Sequence, residues 1–240
     1  MRVCLILEGS YPTYYGGVPE WTHQLIRSLP DIEFTLWTIT PSGTEEAKYE
    51  LPDNVVEWKR VSLQEDVDAE RPIRGDRIDA WNEVTRFHLD MLTGKFDRFG
   101  RVLRYLSGDT RRLNLRHITR DLQGWRLVTF FHKHNDAVNP FSDYYWGWYN
   151  THLPLFKLLE EEVPQADVYH AVSTGYAGLL ATLAKLRTGR PFILTEHGIY
   201  AREREMEIYG EDVVQGYQRQ MWSNVFRGLA RIAYHHADLI

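Results

Sequence analysis

Cysteine is almost absent: Cys4 is the single one in 240 residues. That excludes an internal disulfide framework and suits a reducing compartment. No apolar run reaches the ~18 residues that a membrane span needs. The apolar start also lacks the length and the cleavage pattern of a secretory signal. A soluble, cytoplasmic protein is the expectation. Excess positive charge is missing, since 28 Lys and Arg face 33 Asp and Glu for a net charge of −5, so charge gives no reason to expect nucleic acid. Gly-x-Gly-x-x-Gly is missing, which disfavours a nucleotide-binding oxidoreductase half, and so are the Gly-Lys-Ser/Thr of a Walker loop and a nucleophile elbow. Internal repeats and low-complexity tracts do not occur.

What is present is 43% hydrophobic residues, enough for a sizeable core in one large α/β domain or two small ones. The stretch Met1 to Pro30 organises the rest. Val3-Cys4-Leu5-Ile6-Leu7 is an unbroken apolar run, the pattern of a strand buried on both faces in a parallel sheet. Glu8-Gly9-Ser10-Tyr11-Pro12 cannot continue a strand. After Gly16-Gly17-Val18-Pro19 a helix begins, with Pro19 suited to the first helical position. Val18, Trp21, Leu25 and Leu29 share one helical face, with Ile26 beside them. A strand that feeds a helix through two glycines either makes only a tight turn or offers free N–H groups and close backbone approach to an anion.

Ile32 to Thr40 and Val55 to Val61 read as further strands, separated by the turn signals Pro41-Ser42-Gly43 and Pro52-Asp53-Asn54. Strand, helix, strand, loop, strand is the opening of a doubly wound sheet. Residues 62 to 150 break that rhythm and read as mostly helical. Stripes run through Ile78, Trp81, Val84 and His88, then through Phe96, Phe99, Val102, Leu103 and Leu106. A third helix runs from Arg120 through Val128 to Phe131. Lys95, Arg98, Arg101, Arg104, Arg111, Arg112, Arg116, Arg120 and Arg126 make this middle basic. It is either a solvated face or a surface for an anionic lipid, a phosphate-bearing acceptor or an acidic partner. His132 and His134, with His152, lack the carboxylate or cysteine partner that a metal would need, and no metal is expected. Pro140 opens an aromatic helix (Tyr144, Tyr145, Trp146, Trp148, Tyr149) that reads as packing.

Alternation returns at Ala166. Asp167 to Val172 is a strand, with Ser173 or Thr174 as cap of a helix bearing Tyr176, Leu179, Leu180, Leu183 and Leu186. Pro191 to Thr195 is a strand ending in Glu196-His197-Gly198. A charged segment with Arg202 and Arg204 follows, and then a helix from about Asp212 to His236 bearing Val213, Tyr217 and Met221. Ala237-Asp238-Leu239-Ile240 repeats the approach Ala166-Asp167-Val168-Tyr169, so a further strand and a longer polypeptide are expected.

Ligands of an open parallel sheet bind outside the carboxyl ends of its strands, where strand order reverses. Glu8 to Gly17, His170 to Thr174 and Glu196 to Arg204 fall there. A helix N-terminus, two histidines, a glutamate and two arginines suit a phosphorylated ligand and proton transfer to or from a hydroxyl.

These residues carry a resemblance. Leu7 to Pro12, Gly16 to Val18, Trp21, Gln24 to Ile26 and Thr195 to Arg204 resemble the opening and the later motif of Pel-type exopolysaccharide glycosyltransferases, retaining enzymes of the GT-B fold in glycosyltransferase family four. The resemblance spans essentially the whole chain. It implies an α/β, Rossmann-like parallel sheet as the N-terminal half of a GT-B fold, with a largely helical insertion at about 62–150. The C-terminal domain that holds the nucleotide would lie outside these residues. The chain would supply the acceptor side of sugar transfer from a UDP-sugar to a growing exopolysaccharide, with no cofactor beyond that co-substrate. Alone it would be nearly inactive. His197, Glu196 and His170 are the implied catalytic positions. Gly16, Gly17, Tyr14, Ser173, Thr174, Arg202 and Arg204 are the implied contacts to donor phosphate or substrate. One departure matters: where relatives read Asp-x-x-His-x-His, Val172 stands in place of the second histidine, so that role is not transferred and His197 becomes the better candidate. Inner-membrane polysaccharide synthesis and export proteins are the expected partners, with the chain cytoplasmic or peripheral to that membrane. The alternative is a non-catalytic scaffold that docks on such a complex through the basic helical region.

Overall fold

The computed structural model describes residues 1–63, 73, 75–135, 138–210 and 216–240. The side chains of Leu115, Asn135 and Tyr217 lie outside that description, as does Val213 altogether. Two compact units result. The first comprises Met1–Asp66, Glu162–Tyr200 and Leu229–Ile240, and the second Val67–Glu161 and Ala201–Gly228.

The first unit is a Rossmann-like α/β domain. Its strands are β1 (Arg2–Glu8), β2 (Glu33–Thr40), β3 (Val55–Ser62), β4 (Val168–Ala171) and β5 (Phe192–Leu194). All pairs are parallel, in the order β3-β2-β1-β4-β5. The central β1 explains its own composition: Cys4, Leu5, Ile6 and Leu7 are wholly buried, and burial pushes the Cys4 thiol far above its ordinary range. Helix α1 (Gly17–Ser28) joins β1 to β2. Val18, Trp21 and Leu25 pack on the face of the sheet that carries Val3, Leu5 and Leu7, whereas Leu29 falls just past the helix and is exposed. The amide of Asn54 donates to the carbonyls of Ile26, Leu29 and Ile32, which closes the C-terminal end of α1.

Helix α7 (Tyr176–Thr188) joins β4 to β5 and packs against β1 and β4. The chain leaves the sheet centre in opposite directions through α1 and α7. Crossovers of one hand therefore put the two helices on opposite faces. Every residue of α7 from Tyr176 to Ala184 is buried, the pattern of a helix covered on all sides. The outer cover comes from Leu229 onward in α9 (Gly216–His236), where Ala233 would collide with any Cβ at Gly178.

The repeated Ala-Asp approach has a physical basis. The Asp167 N–H donates to the Arg2 carbonyl at 2.8 Å, and its carboxylate accepts from the Arg2 N–H at 2.9 Å. Asp238 does the same beside β5: its N–H donates to the Phe192 carbonyl at 2.8 Å and its carboxylate accepts from the Phe192 N–H at 2.9 Å. Leu239 then pairs with Ile193 as a parallel bridge. Each aspartate closes the first rung of a parallel ladder with both of its groups.

The second unit is helical: α2 (Ile78–Leu92), α3 (Phe99–Leu106), α4 (Leu115–Arg120), α5 (Leu122–Asn135) and α6 (Phe141–Leu159), with α8 (Tyr200–Gly210) from Ala201 and α9 up to Gly228. It extends the expected helical region of 62–150 to Glu161 and takes in residues 201–228. The charged segment around Arg202 is a helix. Trp81, Val84 and Phe87 form the buried stripe of α2, while Ile78 is exposed. Two members of the basic run are spent inside the unit, while Lys95, Arg101, Arg104, Arg116, Arg120 and Arg126 are exposed. Arg98 pairs with Asp90 at 2.8 Å and Glu83 at 3.2 Å, and Arg111 with Glu160 at 2.9 Å.

His88 and His152 meet in this core, Nε2 to Nε2, at 3.4 Å. Each Nδ1 lies 2.8 Å from a carbonyl, that of Val84 or Trp148. Burial holds His88 neutral. It takes His152 down to about 3, and the neighbouring His88 adds to the effect.

Two outcomes are expected. Asp238→Ala, which removes the Phe192 N–H acceptor and the ion pair to Lys185, should lower unfolding free energy by about 1 kcal/mol in urea titration; an unchanged midpoint would remove the clamp from the account. Folded His88 and His152 stay neutral where the unfolded chain takes up protons below about 6.5. Stability should therefore fall as pH drops from about 6.5 towards 4. Thermal melts of His152→Gln should show a shallower pH slope than those of the parent, and an equal slope would contradict the neutral pair.

Candidate functional site

The site lies in the first unit, at the carboxyl ends of β1, β4 and β5. Strand order reverses between β1 and β4: β1 leads on to β2 on one side and β4 to β5 on the other. After Glu8 the chain turns at Gly9, whose φ of +53° favours glycine, while its N–H donates to the Ile39 carbonyl at 2.9 Å. A tight loop follows, in which the Ser10 carbonyl accepts from the N–H groups of Thr13 and Tyr14 at 3.0 Å. Tyr11 is buried, with its hydroxyl 3.2 Å from His23 Nδ1, and burial pushes its phenol up to about 12. Gly16 is the N-cap of α1 and Gly17 its first residue, and no side chain caps this end. Among the described residues, no atom beyond its own neighbours and helix backbone lies within 4 Å of where a Cβ of Gly17 would stand. Tyr14 flanks the loop, half exposed, with the Lys48 ammonium 5.6 Å above its ring and at the same distance from the ring of Tyr15.

Two carboxylates tie the elements of this sheet edge together. Glu8 accepts from the Tyr176 N–H at 2.8 Å and from the Tyr200 hydroxyl at 2.5 Å. The cap of α7 is thus a glutamate from the neighbouring strand rather than Ser173 or Thr174, because Gly175 occupies the N-cap and offers no side chain. Only glycine fits there: a Cβ would lie 2.3 Å from the Tyr200 ring. Glu196 accepts from the Thr174 hydroxyl at 2.8 Å, from the Tyr200 N–H at 3.0 Å and from the Tyr234 hydroxyl. Burial and then Glu196 push the Tyr234 phenol up to about 12. Glu196 is therefore a fully engaged anchor.

The histidines form the other wall. His170 pairs in register with Leu5 and so lies on the α1 face of the sheet. Its Nε2 is 2.8 Å from the Thr195 hydroxyl. Burial, with a smaller contribution from His197, holds its imidazole down at about 4, so it is neutral near pH 7. Trp21 presents its ring edge-on to His170 at 6.2 Å and to His197 at 4.6 Å. His197 itself is exposed. Among the described residues, the Ser10 and Ser173 hydroxyls are buried without a hydrogen-bond partner. They follow the two strands on either side of the reversal. An oxygen of a bound ligand would satisfy each of them, and an unsatisfied buried hydroxyl is unfavourable on its own.

Gly16, Gly17, Tyr14, His170, Ser173, Thr174, Glu196 and His197 thus belong to one sheet edge. Arg202 and Arg204 lie further along α8 and count with the second unit, where Arg204 pairs with Glu207 at 2.8 Å. Glu8, Trp21, Tyr200 and Tyr234 were not singled out from sequence. Their roles depend on partners distant in the chain, although Glu8, Trp21 and Tyr200 all fall inside the two quoted motifs. Among the described residues no group of three or more His, Cys, Asp or Glu is placed to hold a metal ion. His132 Nε2 and His134 Nδ1 lie against the carbonyls of Asn139 and Phe130 instead.

Together these features define a Rossmann-like α/β domain with this residue cluster at the carboxyl edge of its sheet. Over residues 1–240 the chain matches the family described as a domain of unknown function, DUF3492, and it belongs to that family. No curated protein and no solved structure gives a significant match.

The fit between Gly175 and Tyr200 yields a stability test. Gly175→Ala should cost about 1–3 kcal/mol by overpacking. Combining it with Tyr200→Leu should lose less than the sum of the two single changes in denaturant unfolding, whereas simple additivity would dissociate the two residues.

Proposed function

We propose that this chain is the acceptor-side, N-terminal domain of a retaining GT-B glycosyltransferase of the Pel exopolysaccharide type, using a UDP-sugar. The observation that carries the reading is the uncapped, glycine-led N-terminus of α1 at the point of strand reversal, with His170 and His197 beside it. In this reading Gly16 and Gly17 approach the donor diphosphate, where free N–H groups and the helix dipole favour negative charge. Ser10 and Ser173 supply hydroxyls to the ligand, and Tyr14 borders the acceptor. His197, exposed at the mouth, handles the acceptor hydroxyl. His170, neutral and tied to Thr195, positions rather than carries a proton. Glu196 moves from proton transfer to positioning, since its oxygens already accept three hydrogen bonds. Arg202 and Arg204 remain proposed phosphate contacts. The donor nucleotide would be held by a second domain, without a metal, in the cytoplasm or at the inner membrane beside polysaccharide synthesis and export proteins.

The expected outcome is UDP release from a UDP-sugar only when such a second domain is joined to residues 1–240. There His197→Ala should lower kcat by about 10²–10⁴-fold, the usual worth of a proton-transfer group, while UDP binding by calorimetry is retained. Robust UDP release by residues 1–240 alone would sink the division of labour. An unchanged kcat would remove His197 from it. A scaffold role is the second reading, and an exposed aromatic and basic face of the second unit favours it.

A further inference from the structure

Helix α5 has no acidic residue. Its Leu127, Val128 and Phe131 are buried, and its opposite side carries Leu122, Trp125 and Phe130, which are 62%, 50% and 40% exposed. Arg126 and Lys133 lie among them on the same helical face and are exposed. The apolar surface does not stop at this helix. The Trp125 ring meets Phe141 at 4.8 Å and Tyr145 at 6.1 Å on α6. Tyr145 meets Trp146 at 5.4 Å, and Trp146, 58% exposed, meets Tyr149 at 5.6 Å. A continuous belt of rings thus crosses two helices, which scattered exposed residues would not form.

Charge follows the belt. Over residues 115–135 the bases Arg116, Arg120, Arg126 and Lys133 face one acid, Asp121, a local balance of +3 in a chain of net charge −5. Asp121 itself pairs with Arg77 at 3.7 Å. Among the described residues, Asp143 at the start of α6 is the other acid beside the belt, and it accepts from the Ser142 hydroxyl at 3.2 Å. Exposed Trp flanked by half-buried Tyr, with interleaved Arg and Lys, matches a bilayer interface: the indole rings bury apolar area while their N–H groups stay wet, and the cations meet lipid phosphates.

We propose that the α5–α6 face of the second unit docks on the surface of an anionic phospholipid bilayer, with Trp125 and Trp146 at headgroup level and Arg126 and Lys133 against the phosphates. The docking stands apart from the sugar-transfer reading of the first unit.

The test is sedimentation of the 240-residue chain with phosphatidylcholine vesicles, with and without phosphatidylglycerol. The chain should bind the anionic vesicles, with a blue shift of tryptophan emission, and binding should weaken with salt. Arg126→Glu/Lys133→Glu and Trp125→Ser/Trp146→Ser should each weaken it by at least about tenfold. Lys95→Glu/Arg101→Glu, with the same charge change outside the belt, should not, and far-ultraviolet circular dichroism should show all three folded. Failure to bind anionic vesicles, equal binding to neutral ones, or equal loss in the control would overturn the proposal. So would retention of binding after the tryptophan changes, and an acidic protein surface would then be the better occupant of the face.

Discussion

The carboxylate of Glu8 is the contact on which the first unit depends. It sits at the end of the most buried strand and binds groups 168 and 192 residues further along the chain. Those bonds fix the start of α7 and the ring of Tyr200, and that ring in turn requires glycine at position 175. Glu196 completes the arrangement from β5 by holding Tyr200 from the backbone side and by engaging Thr174 and Tyr234. Each of these hydrogen bonds to a charged group is worth about 1.5–3 kcal/mol, and losing the carboxylate leaves several donors stranded at once.

The same two residues also set how the helix ends at this edge of the sheet are served. Three helix N-termini approach the carboxyl edge of the sheet, those of α1, α7 and α8. Each presents N–H groups without helical partners and a partial positive charge. Glu8 serves α7 and Glu196 serves α8, so both ends are neutralised by the protein itself. The N-terminus of α1 is treated differently: glycine stands at its N-cap, no side chain bonds to it, and two orphaned serine hydroxyls follow the adjoining strands. Under the proposed transfer, it is the one of the three that meets the donor diphosphate.

This distribution was only half legible in the sequence. The unbroken run Val3 to Leu7 identified the central strand because burial on both faces leaves no polar alternation. The two Ala-Asp approaches were visible as a repeat, although their cause, a paired donor and acceptor closing the ladder, appears only in the fold. Helix α8 was hidden because its charged sequence has almost no apolar stripe; its first N–H is held by Glu196, four residues earlier, and ion pairs such as Arg204 with Glu207 line it. Composition misled in the basic middle. Counting charges treated Arg98 and Arg111 as available surface, whereas both are committed to acids that lie outside their own short segment.

The histidines show why position alone does not assign chemistry. Sequence placed His170 and His197 at neighbouring strand ends and could rank them only through a departure from a family pattern. Their surroundings separate them. His170 is enclosed, held neutral by burial and tied through Nε2 to the Thr195 hydroxyl, so accepting a proton would cost it both solvation and that geometry. His197 is open to solvent on one side and braced on the other by the edge of Trp21. Under the proposed transfer, an imidazole that must meet an incoming hydroxyl needs that combination of access and a fixed ring. Trp21 then has a second role besides its place against the core: from α1 it reaches both histidines and forms the wall against which His197 rests.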